Sequence, residues 1–167
     1  MISVSRTSIK SQGYFSPVVV KYASNHQEKL KDLVLLDLPD PLRASDKALT
    51  SSGPYKMKED DAMVYRRPYL TSGSVGFALN AISRVMKKEP KKYVEETCTI
   101  LMDKSWKVQT IVCWGQRDCW LNYGGVEDFC KDSNHKLIEL PMAGHHVKED
   151  CGEKLGQIIF GVFSKRR

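Results

Sequence analysis

Two titratable side chains follow short apolar segments in positions that suit acid–base chemistry. Asp118 comes soon after the segment 108–114 (VQTIVCW), and His145 comes soon after the segment 136–140 (KLIEL). If these segments are neighbouring parallel strands, both side chains lie at the carboxyl edge of the sheet, where open α/β sheets bind their ligands. A carboxylate beside an imidazole holds it in one tautomer and stabilises its protonated form. The pattern therefore predicts an Asp–His pair suited to proton transfer.

Each member of this pair has a rival in the sequence. Asp37 also follows an apolar run and is the alternative carboxylate, and His146 is the alternative base next to His145. We prefer Asp118 to Asp37, because Gly115 permits a sharp turn of the chain back over the sheet and the spacing to His145 fits better. We also prefer His145 to His146. The alternatives remain open at the level of sequence.

The segments around these residues alternate between strand patterns and helix patterns. The runs 33–36, 108–114 and 136–140 are β-branched or leucine-rich and end in turn residues, which is typical of buried parallel strands. The alternation favours an α/β fold with a partial parallel sheet and flanking helices. Helical patterns cover 18–25, 75–88, 90 to just before Trp106, 124–131 and 147–164.

Residues 40–70 interrupt this alternation. They are polar, rich in turn signals, contain Tyr55, Tyr65 and Tyr69, and show no strand pattern. An insertion of this kind between strands of an α/β protein is often a lid or cap. We therefore predict a cap-like helical region over about 40–105, in which the tyrosines are half-buried packing residues.

The composition excludes several other classes of protein. The chain has 167 residues, 41% of them hydrophobic and 28% charged, which is typical of one globular domain. Its net charge of +6 is spread over short basic runs, so we expect a solvated basic surface and no nucleic-acid binding. The five cysteines have no CxxC spacing, so we expect free thiols, no metal site and no cofactor. No apolar run approaches the roughly 18 residues of a membrane span.

The motifs WGxxDxW at 114–120 and LPxAGHH at 140–146 resemble the C-terminal half of the α/β-hydrolase family. The resemblance covers roughly residues 12–163 and is greatest to haloalkane dehalogenases and epoxide hydrolases, in particular plant chloroplast relatives. In this family the nucleophile precedes the acid, and the acid precedes the histidine. The resemblance implies an incomplete α/β-hydrolase fold with a shortened helical cap, in which Asp118 and His145 are the catalytic acid and histidine. It also implies proton donation by cap tyrosines as an alternative to packing.

The resemblance also locates the nucleophile position, and this sequence departs from the family there. The family pattern small-x-nucleophile-x-small matches residues 11–15 (SQGYF), which puts Gly13 at the nucleophile position and Phe15 at the second small position. Gly13 has no side chain and cannot form a covalent intermediate. Ser16 is the alternative nucleophile, through a different local backbone.

Residues 1–11 differ from the rest of the chain. They contain four serines, Arg6 and Lys10 and no acidic residue, as organelle transit peptides do, but they are short for such a peptide. Residues 7–11 are also too polar for a central strand. We therefore expect an unrelated leader that joins the matching region near Gln12, in a truncated or alternatively spliced product or a mispredicted gene model. The family's third strand and oxyanion-hole loop are then absent.

These features lead to three hypotheses of function. The first is a hydrolase-like protein that retains the acid–histidine pair and is inactive as this chain. The second is an active hydrolase of small apolar esters, epoxides or halides, in which His145 activates a water. The third is a non-catalytic binding or interaction protein. The resemblance implies a chloroplast location, with the cytoplasm as the alternative, and an uncovered sheet edge predicts poor solubility.

Overall fold

A computed structural model describes residues 6–36, 57–70, 77, 81, 84, 90–119, 122–133 and 135–164. Within these residues, four parallel strands form one sheet in the order β1-β2-β3-β4. The strands are β1 (Thr7–Gln12), β2 (Leu30–Leu36), β3 (Gln109–Gly115) and β4 (Lys136–Leu140). The predicted α/β architecture with a partial parallel sheet is confirmed.

Helices lie between and after these strands. The helices are α1 (Ser16–Asn25), α2 (Glu59–Leu70), α3 (Pro90–Met102), α4 (Tyr123–Ser133), α5 (Val147–Asp150) and α6 (Gly152–Ser164). Single 3₁₀ turns follow β1 and precede β2, at Gly13–Phe15 and Gln27–Lys29. The described part of the predicted cap-like region, α2 and α3, is helical, and its action as a cap stays a prediction. Asp37 and Tyr55 lie outside the described residues.

The sheet is covered on both faces, which explains the continuous apolar runs. Leu33 and Leu35 of β2 pack with α1 and α3, whereas Val34 and Leu36 pack with α6. Successive side chains of a strand point to opposite faces, so a strand covered on both sides needs an apolar residue at every position. β3 shows the same division, with α4 on one side and α6 on the other.

The helix predicted over 147–164 is broken at Cys151. This residue has φ −140° and ψ 38°, outside the helical region, and it separates α5 from α6. Its amide donates to the Val147 carbonyl oxygen at 2.9 Å, and its own carbonyl oxygen accepts from the Leu155 amide at 2.9 Å. The apolar period continues through the break because Val147 and Leu155 both pack into the core beneath α6. The apolar periodicity of the sequence alone therefore cannot reveal the break at Cys151.

β1 is a strand that the apolar pattern does not predict. Ile9 lies opposite Leu33 in its pairing with β2, and the strand occupies the end of the described sheet. Such a position tolerates polar residues, and Ser8 Oγ donates to Asp32 Oδ2 at 2.8 Å. Residues 7–11, which the sequence sets apart as leader, therefore lie in the sheet. The separate origin of residues 1–11 stays a prediction.

The Ser8–Asp32 hydrogen bond predicts a measurable contribution to stability. Asp32 is only 3% exposed, so Ser8→Ala leaves a buried carboxylate without one of its donors. We expect the free energy of unfolding to fall by about 1 to 3 kcal/mol in urea titrations followed by circular dichroism. Ser24→Ala removes a hydrogen bond of 2.8 Å at the surface of α1 and is the matched control. If Ser8→Ala lowers the free energy of unfolding no more than this control does, the Ser8–Asp32 hydrogen bond does not stabilise the fold.

Candidate active site

Asp118 and His145 meet at the carboxyl edge of the sheet. His145 Nδ1 lies 2.9 Å from Asp118 Oδ2. The Asp118 side chain is 1% exposed and the His145 side chain 12% exposed. This contact directs Nδ1 at the carboxylate and turns Nε2 away from it. The structure thus brings the two predicted residues together, while their catalytic roles stay predictions.

The Asp118–His145 contact depends on where β3 and β4 end relative to each other. Gly115, the last residue of β3, lies opposite Leu140, the last residue of β4. The loops that carry Asp118 and His145 therefore start side by side. They are joined by backbone hydrogen bonds, one of which runs from the Arg117 amide to the Ala143 carbonyl oxygen at 2.9 Å.

Gly115 allows the two loops to touch. A Cβ at Gly115 would lie 2.3 Å from the Gly144 carbonyl oxygen and 2.6 Å from the Ala143 carbonyl oxygen, distances that no side chain tolerates. The sharp turn predicted at Gly115 is present, because the Asp118 amide donates to the Gly115 carbonyl oxygen at 3.2 Å. The positive φ among the described glycines nevertheless belongs to Gly13. Gly115 is thus required for close packing and not for an unusual dihedral angle.

A second carboxylate, Asp150, holds the backbone on both sides of His145. Its Oδ2 accepts a hydrogen bond from the Gly144 amide at 2.7 Å, and its own amide donates to the His146 carbonyl oxygen at 3.1 Å. The short helix α5 thereby fixes the loop from which the imidazole projects. Sequence reasoning missed Asp150, although an acidic residue at the start of a helix often reaches back to a preceding amide.

Helix α2 contacts α5 through Tyr65. The Tyr65 hydroxyl donates to Glu149 Oε1, and Lys148 Nζ lies 5.2 Å from the centre of the Tyr65 ring. The hydrogen bond to Glu149, with smaller effects of burial and charge, raises the pKa of Tyr65 to about 12. Tyr65 is thus a contact between α2 and α5, and the choice between packing and proton donation stays a prediction. The side chain of Tyr69 lies outside the described part.

Gly13 occupies the turn between β1 and α1. Because Gln12 pairs with Leu36 at the end of β2, Gly13 lies at the same carboxyl edge as the acid–histidine pair. Its φ is +56°, a conformation that residues with side chains rarely adopt. A Cβ there would meet no atom within 4 Å, so the position has room for a side chain. A strained strand-to-helix turn is also where hydrolase-fold nucleophiles lie, which agrees with the predicted match.

The geometry of Ser16 argues against it as a nucleophile. Ser16 is the first residue of α1 and is 0% exposed. Its Oγ has no hydrogen-bond partner among the described residues, and none of the described bases contacts it. The neighbouring Phe15 is 70% exposed and points away from the core. Ser16 is thus a small buried residue beneath the start of the helix.

The remaining candidates lie close to the pair. His146 stacks on His145 edge to face, with 5.4 Å between the ring centres, while His145 carries the bond to Asp118. Cys119 is exposed next to Asp118, and none of the five cysteines forms a disulfide. In the described part of the chain, no group of three or more His, Cys, Asp or Glu side chains could hold a metal ion. None of the described helices has the length and apolar character needed to cross a membrane.

Comparison with known proteins identifies the fold. No family model and no curated protein sequence matches the chain. Haloalkane dehalogenase DbeA from Bradyrhizobium elkani superposes with a TM-score of 0.73 and 14% identity, over 98% of this chain and 69% of that one. A serine hydrolase involved in carbazole degradation, CarC, gives a TM-score of 0.72 with 17% identity, over 99% and 66%. An α/β-hydrolase-fold protein from Burkholderia ambifaria gives 0.69 with 19% identity, over 94% and 66%.

These matches show a partial α/β-hydrolase fold, as the sequence resemblance implies. The chain spans between 61% and 69% of the length of the solved structures it matches. Sequence identities of 11% to 19% carry the fold but no particular activity.

Gly115→Ala tests the contact between the two loops. The added methyl group cannot fit against the Gly144 and Ala143 carbonyl groups, so we expect a loss of about 1 to 3 kcal/mol in the free energy of unfolding. We also expect the imidazole N–H resonance of His145 to shift in NMR spectra as the bond to Asp118 lengthens. Gly156→Ala, in a helix and with no atom within 4 Å of the new Cβ, is the control and should be neutral or stabilising. Equal free energies of unfolding in the two variants would show that the fold does not require a glycine at position 115.

Asp150→Ala tests the support of the His145 loop. The Gly144 amide loses its acceptor, so we expect its hydrogen exchange to accelerate roughly tenfold or more, which corresponds to about 1.5 kcal/mol or more. Asp150→Asn keeps a side-chain oxygen at the same position, and there the exchange should stay within a few-fold of the parent chain. Similar acceleration in both variants would mean that the carboxylate does not act through this hydrogen bond.

Proposed function

We propose that this chain is a hydrolase-like protein that keeps the acid–histidine part of a hydrolytic site but has no covalent nucleophile, and is inactive as it stands. The observation that carries the proposal is Gly13 at the strained turn after β1, at the same sheet edge as the Asp118–His145 pair. Covalent hydrolysis needs a side chain at the turn, and glycine supplies none.

The pair is suited to moving a proton. Asp118 holds Nδ1 of His145, so Nε2 is the nitrogen oriented to accept a proton from a hydroxyl group or a water. A well-placed general base contributes about 10²- to 10⁴-fold to a rate. That contribution is small beside a complete hydrolytic site, in which the hydrogen-bond donors to the developing oxyanion usually stabilise the transition state most.

A second candidate is direct hydrolysis by a water that His145 activates. The burial of Asp118 favours this candidate, because a buried carboxylate stabilises the imidazolium more strongly than an exposed one. The substrates would be small apolar esters, epoxides or halides. The two candidate functions make different predictions for the unaltered chain. It shows no turnover if it is an inactive hydrolase-like protein, and it shows turnover that requires His145 if a water is the nucleophile.

Restoring a side chain at Gly13 tests the proposal. Gly13→Ser is assayed with a short p-nitrophenyl ester, and Gly13→Asp with a terminal epoxide and a 1-haloalkane. We expect the parent chain to match its His145→Ala variant, and at least one Gly13 variant to exceed the parent by about tenfold or more. Gly13→Ala is the matched control, because it carries the cost of a Cβ at positive φ, about 1 to 2 kcal/mol, without a nucleophile.

Three outcomes decide the question. A gain that disappears when His145→Ala is added supports the proposal. Turnover by the parent chain that is lost in His145→Ala overturns it in favour of the water route. Gly13 variants that fold as well as Gly13→Ala and show no gain overturn the assignment of Gly13 to the nucleophile position.

A further inference from the structure

A separate cavity lies on the face of the sheet that carries α3 and α4. Its volume is about 270 Å³, and neither Asp118 nor His145 lines it. The sheet forms its floor, and the two helices form opposite walls. Its main apolar contacts come from Leu35, Trp114, Cys98, Leu101, Val126 and Phe129.

The polar side chains in the wall are already engaged with their own elements. Thr97 Oγ1 donates to the Tyr93 carbonyl oxygen at 2.7 Å, and Asn122 Oδ1 accepts from the Gly124 amide at 2.9 Å. Burial raises the pKa of the Cys98 thiol above its ordinary value, which keeps it uncharged. The indole N–H of Trp114, in the cavity floor, has no hydrogen-bond partner among the described residues. The described lining therefore offers a ligand no charge and a single unengaged donor.

The size and the walls together define the chemistry of the occupant. A dry apolar cavity of about 150 Å³ holds benzene, so a cavity of about 270 Å³ has room for one or two rings. A water molecule needs two to four polar partners and is disfavoured here. The cavity is partly open to solvent, since its lining residues Asn122 and Gly125 are exposed. An apolar occupant therefore displaces water from apolar walls, and because it binds only the folded chain it stabilises that chain.

We infer that this cavity binds a small uncharged apolar molecule of one or two rings, independently of the Asp118–His145 pair. Toluene is the probe. Its binding is followed by the indole N–H resonance of Trp114 in the cavity floor. Trp106, whose Nε1 donates to Thr110 Oγ1 at 2.9 Å, does not line the cavity and is the internal reference.

Two glycine-to-leucine variants distinguish the effect of filling the cavity from the effect of adding a leucine to a helix. Gly125 lines the cavity at its solvent-exposed side, and a Cβ there would meet no atom within 4 Å. Gly125→Leu should raise the melting temperature without ligand and weaken toluene binding at least tenfold. Gly156→Leu adds the same side chain to α6, with no neighbour within 4 Å and no place in the cavity wall. It should leave toluene binding unchanged.

The expected result is a titratable shift of the Trp114 resonance and a rise in melting temperature of about 2 to 4 °C at about five times Kd. Binding should persist in His145→Ala, so failure of the proposed function leaves this inference standing. Saturating toluene that leaves Trp114 unmoved in the folded chain overturns the inference. Equal binding by Gly125→Leu and Gly156→Leu also overturns it, as does binding that disappears in a His145→Ala variant whose circular dichroism spectrum shows that it is still folded.

Discussion

The candidate site depends on a contact between two backbones. The loops after β3 and β4 touch at Gly115, where the carbonyl oxygen of Gly144 occupies the place of a side chain. The strands end at the same level, and the contact holds their loops together. The separation of 2.9 Å between Asp118 and His145 follows from that arrangement and does not have to be produced by the side chains themselves.

Support for this contact comes from both faces of the sheet. On one face, Leu140 and Val147 pack with α6 in the same core, so the loop that carries His145 is anchored at both ends. On the other face, Trp114 is almost fully buried against α4. Asp150 adds a polar contact to the same loop, because it joins the backbone before His145 to the backbone after it. The geometry of the site therefore rests on core packing, since α5 alone is a helix of four residues.

The features that could be predicted from the sequence are those with a local physical cause. β2, β3 and β4 appear as apolar runs, and the acid and histidine are recognisable because each follows such a run. β1 is not recognisable, because a polar strand at the end of a sheet is stabilised by its partner and not by its own pattern. Asp150 and the burial of Ser16 depend on which segments meet in space. The turn at Gly115 is predictable from the sequence, but the close approach of the Gly144 carbonyl oxygen, which requires a glycine there, is not, because a contact between two loops leaves no trace in local sequence.

An intact acid–histidine pair also has a structural reason to persist. Asp118 is buried, and a buried carboxylate without a hydrogen-bond donor costs far more than it contributes. His145 supplies such a donor from the neighbouring loop, so the pair ties the two loops together whether or not a reaction takes place. Removing one partner of a buried pair costs about 3 to 5 kcal/mol, because the other loses the interaction that compensates for its burial. Retention of Asp118 and His145 is therefore compatible with a fold that has lost its chemistry. Gly13 is the more informative position, because the packing around that turn leaves room for a Cβ and only the φ of +56° favours a glycine there.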